Sequence, residues 1–232
     1  SLYYTALRNG SMRVFLKSTE FKVYFGLVAI STLLLAFHIR GNHEDSILQS
    51  LRYAFFMVAA TITSTGYGTD DYMAYPGAGL FIVLLLMFIG GSAGSTAGGI
   101  KVARVAVLVK SAWAQVRQTF RPNLVQVVRI DGRAAPDRIL AEAGAFIVLF
   151  FACLAAGTFI ITWTDAIPVE AAFGAMLSCL SNMGPGPYHV TEADNFSAYT
   201  DVAKLLFSLA MILGRLELFT LLALLVPDFW RR

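Results

Sequence analysis

Two short polar segments carry the residues best suited to chemistry: Thr63-Ser64-Thr65-Gly66-Tyr67-Gly68 and Ser181-Asn182-Met183-Gly184-Pro185-Gly186. Each follows a short apolar run and combines glycine with small oxygen-bearing side chains. Glycine reaches backbone angles closed to residues with a Cβ, so it can turn carbonyls where other residues cannot. A set of such carbonyls replaces the water shell of a monovalent cation without the full countercharge that would trap it. At membrane depth, irregular backbone is tolerated only where it is buried in protein or lines a cavity. The pair of segments therefore predicts an ion path whose working parts are the loops. Taken singly, either segment also fits an ordinary turn, since Ser, Thr, Asn, Gly and Pro favour turns everywhere. What separates the two readings is that the segment recurs, each time behind a short apolar run.

A third polar stretch, Gly90-Gly91-Ser92-Ala93-Gly94-Ser95-Thr96-Ala97-Gly98-Gly99, is followed by Lys101 and Arg104. Its glycine spacing is not that of a phosphate-binding loop, and Lys101 is not followed by Ser or Thr. Each glycine costs a helix about 1 kcal/mol relative to alanine, so an unwound intramembrane loop is expected here. Its position below the first polar segment makes it a candidate gate. Arg215 and Glu217 lie inside the last apolar run, where an ionisable group must be paired or face a polar path. The five donors of Arg215 can satisfy carbonyls of an unwound loop. A membrane-embedded enzyme is the competing reading: Ser64, Ser95 and Ser181 are possible nucleophiles, but no His or Asp is placed to activate them. A purely structural helical subunit would leave the duplicated loops without a purpose.

The elements that must position these residues follow from hydropathy. Of 232 residues, 57% are hydrophobic and 14% charged, which points to a membrane protein. Four long apolar segments, at 21–37, 76–109, 141–163 and 202–226, are expected to span, the second with the Gly-rich break inside it. Two shorter ones, at 46–62 and 169–180, end at the polar loops and are expected to be re-entrant. The order long, short, loop, long occurs twice, and 118 positions separate Gly66 from Gly184. Lys and Arg concentrate before the first span (Arg8, Arg13, Lys17, Lys22), between the repeats (Lys101 to Arg138) and at Arg231-Arg232. Those regions are assigned to the cytoplasmic side, and the acidic residues, including Asp70, Asp71 and Asp165, to the outer side. Cys153 and Cys179 sit in apolar runs and read as packing residues. No signal peptide is expected, and nothing calls for nucleic acid.

Thr63-Ser64-Thr65-Gly66-Tyr67, the run 94–102, Asn182-Met183-Gly184-Pro185-Gly186 and Gly214-Arg215-Leu216-Glu217-Leu218-Phe219-Thr220 together resemble the Trk/Ktr/HKT superfamily of potassium transporters, most closely the membrane subunit of bacterial Trk systems. The resemblance implies an all-α membrane protein of two tandem helix–pore-loop–helix repeats: four spanning helices and two re-entrant pore helices. These are half of a four-repeat pore and match its third and fourth repeats. The units are 1–112, a basic cytoplasmic linker at 113–137, and 138–232. Implied filter residues are Thr63, Ser64, Thr65, Gly66 and Tyr67 with Ser181, Asn182, Met183, Gly184 and Pro185, and potassium is expected at Ser64, Thr65, Asn182 and Met183. Implied gate residues are Gly90, Gly91, Ser92, Ala93, Gly94, Ser95, Thr96, Ala97, Gly98 and Gly99, with Arg215 contacting them. The resemblance further implies potassium as the transported ion and no organic cofactor. Its implied partners are the N-terminal half of the same protein, a second copy, and a cytosolic nucleotide-binding regulatory ring, all in a bacterial inner membrane.

Overall fold

The computed structural model describes residues 18–40, 46–121, 128–187 and 196–216. Seven α-helices account for most of them: α1 (Thr19–Ile39), α2 (Ile47–Ile62), α3 (Gly77–Phe88), α4 (Val102–Phe120), α5 (Asp137–Asp165), α6 (Val169–Ser181) and α7 (Asp201–Arg215). The reading of a helical protein holds, with two very short ladders added. Strand β1 (Ile89–Gly90) pairs in parallel with β2 (Ile100–Lys101), and β3 (Arg129–Ile130) pairs antiparallel with β4 (Arg133–Ala134). The second ladder closes over Asp131-Gly132, whose φ values of 51° and 80° make the two-residue hairpin turn. Glu217, Arg8, Arg13, Lys17, Arg231 and Arg232 lie outside the described residues, whereas Lys22 lies in the first turn of α1.

Helix starts follow from local chemistry. The Ser18 hydroxyl accepts from Phe21 N, and the Thr200 hydroxyl accepts from Ala203 N, capping α1 and α7. Pro76, Pro136 and Pro168 stand just before α3, α5 and α6, where a fixed φ is useful and a missing N–H costs nothing.

The segment expected as one interrupted span at 76–109 is two helices. α3 has 12 residues, about 18 Å, and α4 begins only at Val102, beyond the Gly-rich stretch. α4 then runs on to Phe120, so position 112 falls inside a helix. Among the described residues, two helices are long and apolar enough on their own to cross a membrane, Thr19–Ile39 and Asp137–Asp165. The 29 residues of α5 reach about 44 Å against a hydrocarbon core of about 30 Å.

Element positions recur with a fixed offset. α1 and α5 begin 118 residues apart, as do the left-handed residues Ser64 and Asn182 and the positive-φ glycines Gly66 and Gly184. Beyond the loops, the 3-10 turns Tyr72–Ala74 and Phe196–Ala198 and the starts of α3 and α7 are 124 apart. Six extra residues therefore follow the second loop.

One buried cluster joins α1, α2 and α3 through Leu35, Ile39, Met57, Val58, Ile62 and Leu86. The other joins α5, α6 and α7 through Phe150, Leu154, Ile161, Met176, Leu180 and Phe207, and also takes in Met87 and Ile100 from the first half. Where helices touch closely, small residues allow it: a Cβ on Gly157 would meet the Met176 thioether at 2.5 Å. Outward faces keep large apolar side chains, with Leu33, Phe37, Val148, Phe159 and Trp163 each at least 60% exposed. Helices that meet lipid carry such faces.

Candidate functional site

Both polar loops are built by the same helix ending. In the first, Ser64 N donates to Thr61 O at 3.0 Å and Thr65 N to Ala60 O at 2.9 Å, with Ser64 at φ 53°. In the second, Asn182 N donates to Cys179 O at 3.1 Å and Met183 N to Ser178 O at 3.0 Å, with Asn182 at φ 53°. This is the Schellman arrangement, which satisfies carbonyls that a helix end would leave open. Glycine is the usual left-handed residue there, and serine and asparagine stand in for it, asparagine being the residue that tolerates this region best. Two residues past each left-handed cap comes a glycine with positive φ, Gly66 at 73° and Gly184 at 99°. The C-terminal ends of α2 and α6, which carry partial negative charge, thus point at the two loops.

Hydroxyls fix the loops further. Thr63 Oγ1 donates to Ala59 O at 2.7 Å and shares a 2.7 Å hydrogen bond with Thr65 Oγ1. Ser178 Oγ, on the last turn but one of α6, donates to Gly184 O at 2.7 Å. The loops also meet each other. A Cβ on Gly66 would stand 2.0 Å from Met183 O and 2.8 Å from Pro185 Cδ. Despite their matching backbones the loops differ in exposure: Thr63, Thr65 and Tyr67 are exposed, whereas Ser181 and Met183 are buried.

The Gly-rich stretch lies against the second loop. A Cβ on Gly98 would fall 2.3 Å from Ser181 O, and one on Gly214 would fall 2.0 Å from Leu180 O and 2.5 Å from Asn182 Nδ2. The last carbonyls of α6 are thus covered by the Cα atoms of two glycines, one on the stretch and one on α7. The stretch leaves and returns through the β1–β2 ladder, and a Cβ on Gly90 would fall 1.8 Å from Gly98 O. Its tip is tied at two points: Arg215 Nη1 donates to Thr96 O, and Ala93 N donates to Glu20 Oε1.

The structure therefore brings both loops, the Gly-rich stretch and Arg215 into one cluster. Gly214, which the sequence singled out only as the neighbour of Arg215, joins it, as do Ser178 and Glu20, which did not stand out. Ser178 was hidden in an apolar helix, and Glu20 is 73 positions from the amide whose hydrogen bond it accepts. The two loops offer carbonyls and hydroxyls, which suit a hard monovalent cation. Among the described residues, no three His, Cys, Asp or Glu side chains gather to hold a metal ion. The hydroxyls of Ser95 and Ser181 are buried with no hydrogen-bond partner, so neither has a base to activate it.

Comparison with known proteins gives a consistent result. Residues 21–231 match the TrkH family model, described as a cation transport protein. The chain is 38% identical over 245 residues to the Trk system potassium uptake protein TrkH of Escherichia coli K12, covering 99% of this chain and 47% of that protein. It is 32% identical to the protein of the same name from Halomonas elongata, covering 48% of its length. Among solved structures, the potassium transporter TrkH from Vibrio parahaemolyticus superposes with a TM-score of 0.88 at 28% identity, over 99% of this chain and 49% of that one. The chain spans about half the length of the curated relatives it matches.

Proposed function

Because this chain belongs to the TrkH family of cation transport proteins, we propose that it supplies half of a potassium-conducting pore, gated by its Gly-rich stretch. The observation that carries the reading is the pair of loops built to one backbone design at an offset of 118 residues, touching each other at Gly66 and Met183. In this reading the two repeats are helix–pore-loop–helix units. α2 and α6 are the pore helices, and α1, α3, α5 and α7 the frame. Backbone carbonyls of Ser64, Thr65, Asn182 and Met183 take over part of the ion's hydration shell. The remaining ligands come from the N-terminal half of the protein. Residues 90–99 close the path beneath the loops, held there by Arg215.

Membership in a transporter family stands against the enzyme reading. The acidic side chains Asp70, Asp71 and Asp201 at the loop end raise the local cation concentration. The basic linker at the other end suits anionic lipid or an acidic cytosolic partner. A second copy of the subunit and a cytosolic nucleotide-binding ring complete the proposed assembly in a bacterial inner membrane.

Expression of the full-length protein in cells lacking their own potassium uptake tests this. Wild-type protein is expected to restore growth on low potassium, and combined Gly66→Asp and Gly184→Asp to abolish it. Growth that survives both changes would sink the filter assignment.

Selectivity provides a second check. Met183 and Pro185 stand where the first loop has Thr65 and Tyr67, so the pore lacks strict four-fold symmetry and is expected to favour potassium over sodium only moderately. Ser178→Ala frees the Gly184 carbonyl, a loss of about 1 kcal/mol. The potassium-to-sodium permeability ratio, read from reversal potentials, should fall about fivefold at that energy; an unchanged ratio would detach Ser178 from selectivity.

A further inference from the structure

The tip of the Gly-rich stretch is held from two sides, and the proposed gate uses only one of them. Ala93 N donates to the carboxylate of Glu20 in the first turn of α1. The residue before it, Thr19, is tied to the turn of the β3–β4 hairpin in the basic linker. Thr19 N donates to Asp131 Oδ1 at 2.6 Å, and Asp131 N donates to Thr19 Oγ1 at 3.3 Å. This reciprocal pair joins residues 112 positions apart. The hairpin is itself held to α4, since Lys110 Nζ donates to Arg129 O at 3.0 Å.

We propose that Glu20 is a second anchor of the Gly-rich stretch, and that the Thr19–Asp131 pair makes it a relay from the linker hairpin to that stretch. The argument is one of connectivity. Thr19 and Glu20 are consecutive residues of one helical turn, so they move together. One grips the hairpin and the other grips the stretch, each through hydrogen bonds in which a carboxylate accepts a backbone N–H, a strong type. Neither contact is local in sequence, so neither is a by-product of helix or turn formation. A force applied to the hairpin reaches Ala93 through two hydrogen-bonded contacts and one peptide unit. The two anchors act on opposite polarities of the stretch, Glu20 on an amide and Arg215 on a carbonyl three residues later. Releasing either frees one edge of the tip. A protein that binds the basic linker thereby gains a lever on the stretch without touching it.

Gating by the stretch belongs to the proposed function, whereas the anchor stands on the contacts themselves, so the test reads them separately. The full-length protein carrying Ser95→Cys leaves the Ala93 amide in place and puts a thiol where the Ser95 hydroxyl is buried, so its labelling rate by a charged methanethiosulfonate reports release of the tip. Glu20→Ala should raise that rate by on the order of tenfold, the loss of a single charge-assisted bond. Glu20→Gln retains an oxygen acceptor and should stay within about twofold of wild type, an amide bond being weaker but present. Asp131→Gly keeps the left-handed turn and removes the carboxylate; through the relay it should raise labelling by about threefold. Combined with Glu20→Ala it should add nothing. Labelling that is unchanged in Glu20→Ala overturns the anchor, and labelling unchanged in Asp131→Gly overturns the relay. Potassium flux is measured on the same variants. Faster labelling with unchanged flux sustains the anchor and refutes gating by the stretch.

Discussion

Adding a single methyl group at Gly66 is expected to abolish ion flux. Two costs combine in Gly66→Ala. The backbone sits at φ 73°, where a residue with a Cβ pays about 1–2 kcal/mol. The new atom would also land 2.0 Å from Met183 O, and relief of such overpacking costs about 1–3 kcal/mol. The second cost falls on both loops, because the obstacle is backbone of the second loop and cannot swing aside as a side-chain tip would. A displacement worth about 3 kcal/mol at the conducting path corresponds to a rate loss of more than about a hundredfold. Gly184→Ala separates the two costs, since its Cβ would meet nothing within 4 Å although φ is 99°. It should therefore be clearly milder. Gly144→Ala, in the middle of α5 with open space around it, should leave flux unchanged and gain about 0.5–1 kcal/mol of helix stability. Rubidium uptake by the three full-length variants checks the order; equal flux in wild type and Gly66→Ala would remove this contact from the path.

The second large effect is expected in the opposite direction. Arg215→Ala removes the bond to Thr96 O and should raise uptake in the absence of any activating partner by about fivefold, the shift that about 1 kcal/mol makes in a closed-to-open ratio. That energy lies below the usual worth of a charge-assisted bond because Arg215 is exposed. Arg215→Lys keeps the charge but loses the planar fork of donors, and should lie between the two. Deleting residues 93–95 removes the tip while leaving the Ile89–Ile100 and Gly90–Lys101 pairs that close its base. It should match or exceed Arg215→Ala. Resting flux that is unchanged in both the substitution and the deletion would take the gate away from this stretch.

Much of the frame was legible because it rests on period and composition. The apolar runs at 46–62 and 169–180 became α2 and α6 within a residue or two, and the glycines of 90–99 kept α3 from continuing into α4. Loop conformation was legible in part: glycine at 66 and 184 announced positive φ, but Ser64 and Asn182 gave no comparable sign of the left-handed caps they form. What stayed hidden depends on distance in space. Ser178 looks like any small residue of an apolar helix until its hydroxyl is seen on the Gly184 carbonyl. Gly214 looks like a weak point in a helix until Leu180 O is seen 2.0 Å from where its Cβ would be. The inserted six residues were hidden as well, because hydropathy measures runs and not the register between them.

The hydrogen bonds that shape each loop run back only three to six residues into the helix before it. Contacts so close in sequence close with the last turn of the helix, within about a microsecond, and ask for no long-range search. Both loops therefore acquire their bends during the formation of α2 and α6. Contact between the two loops then becomes a docking of parts that are already bent.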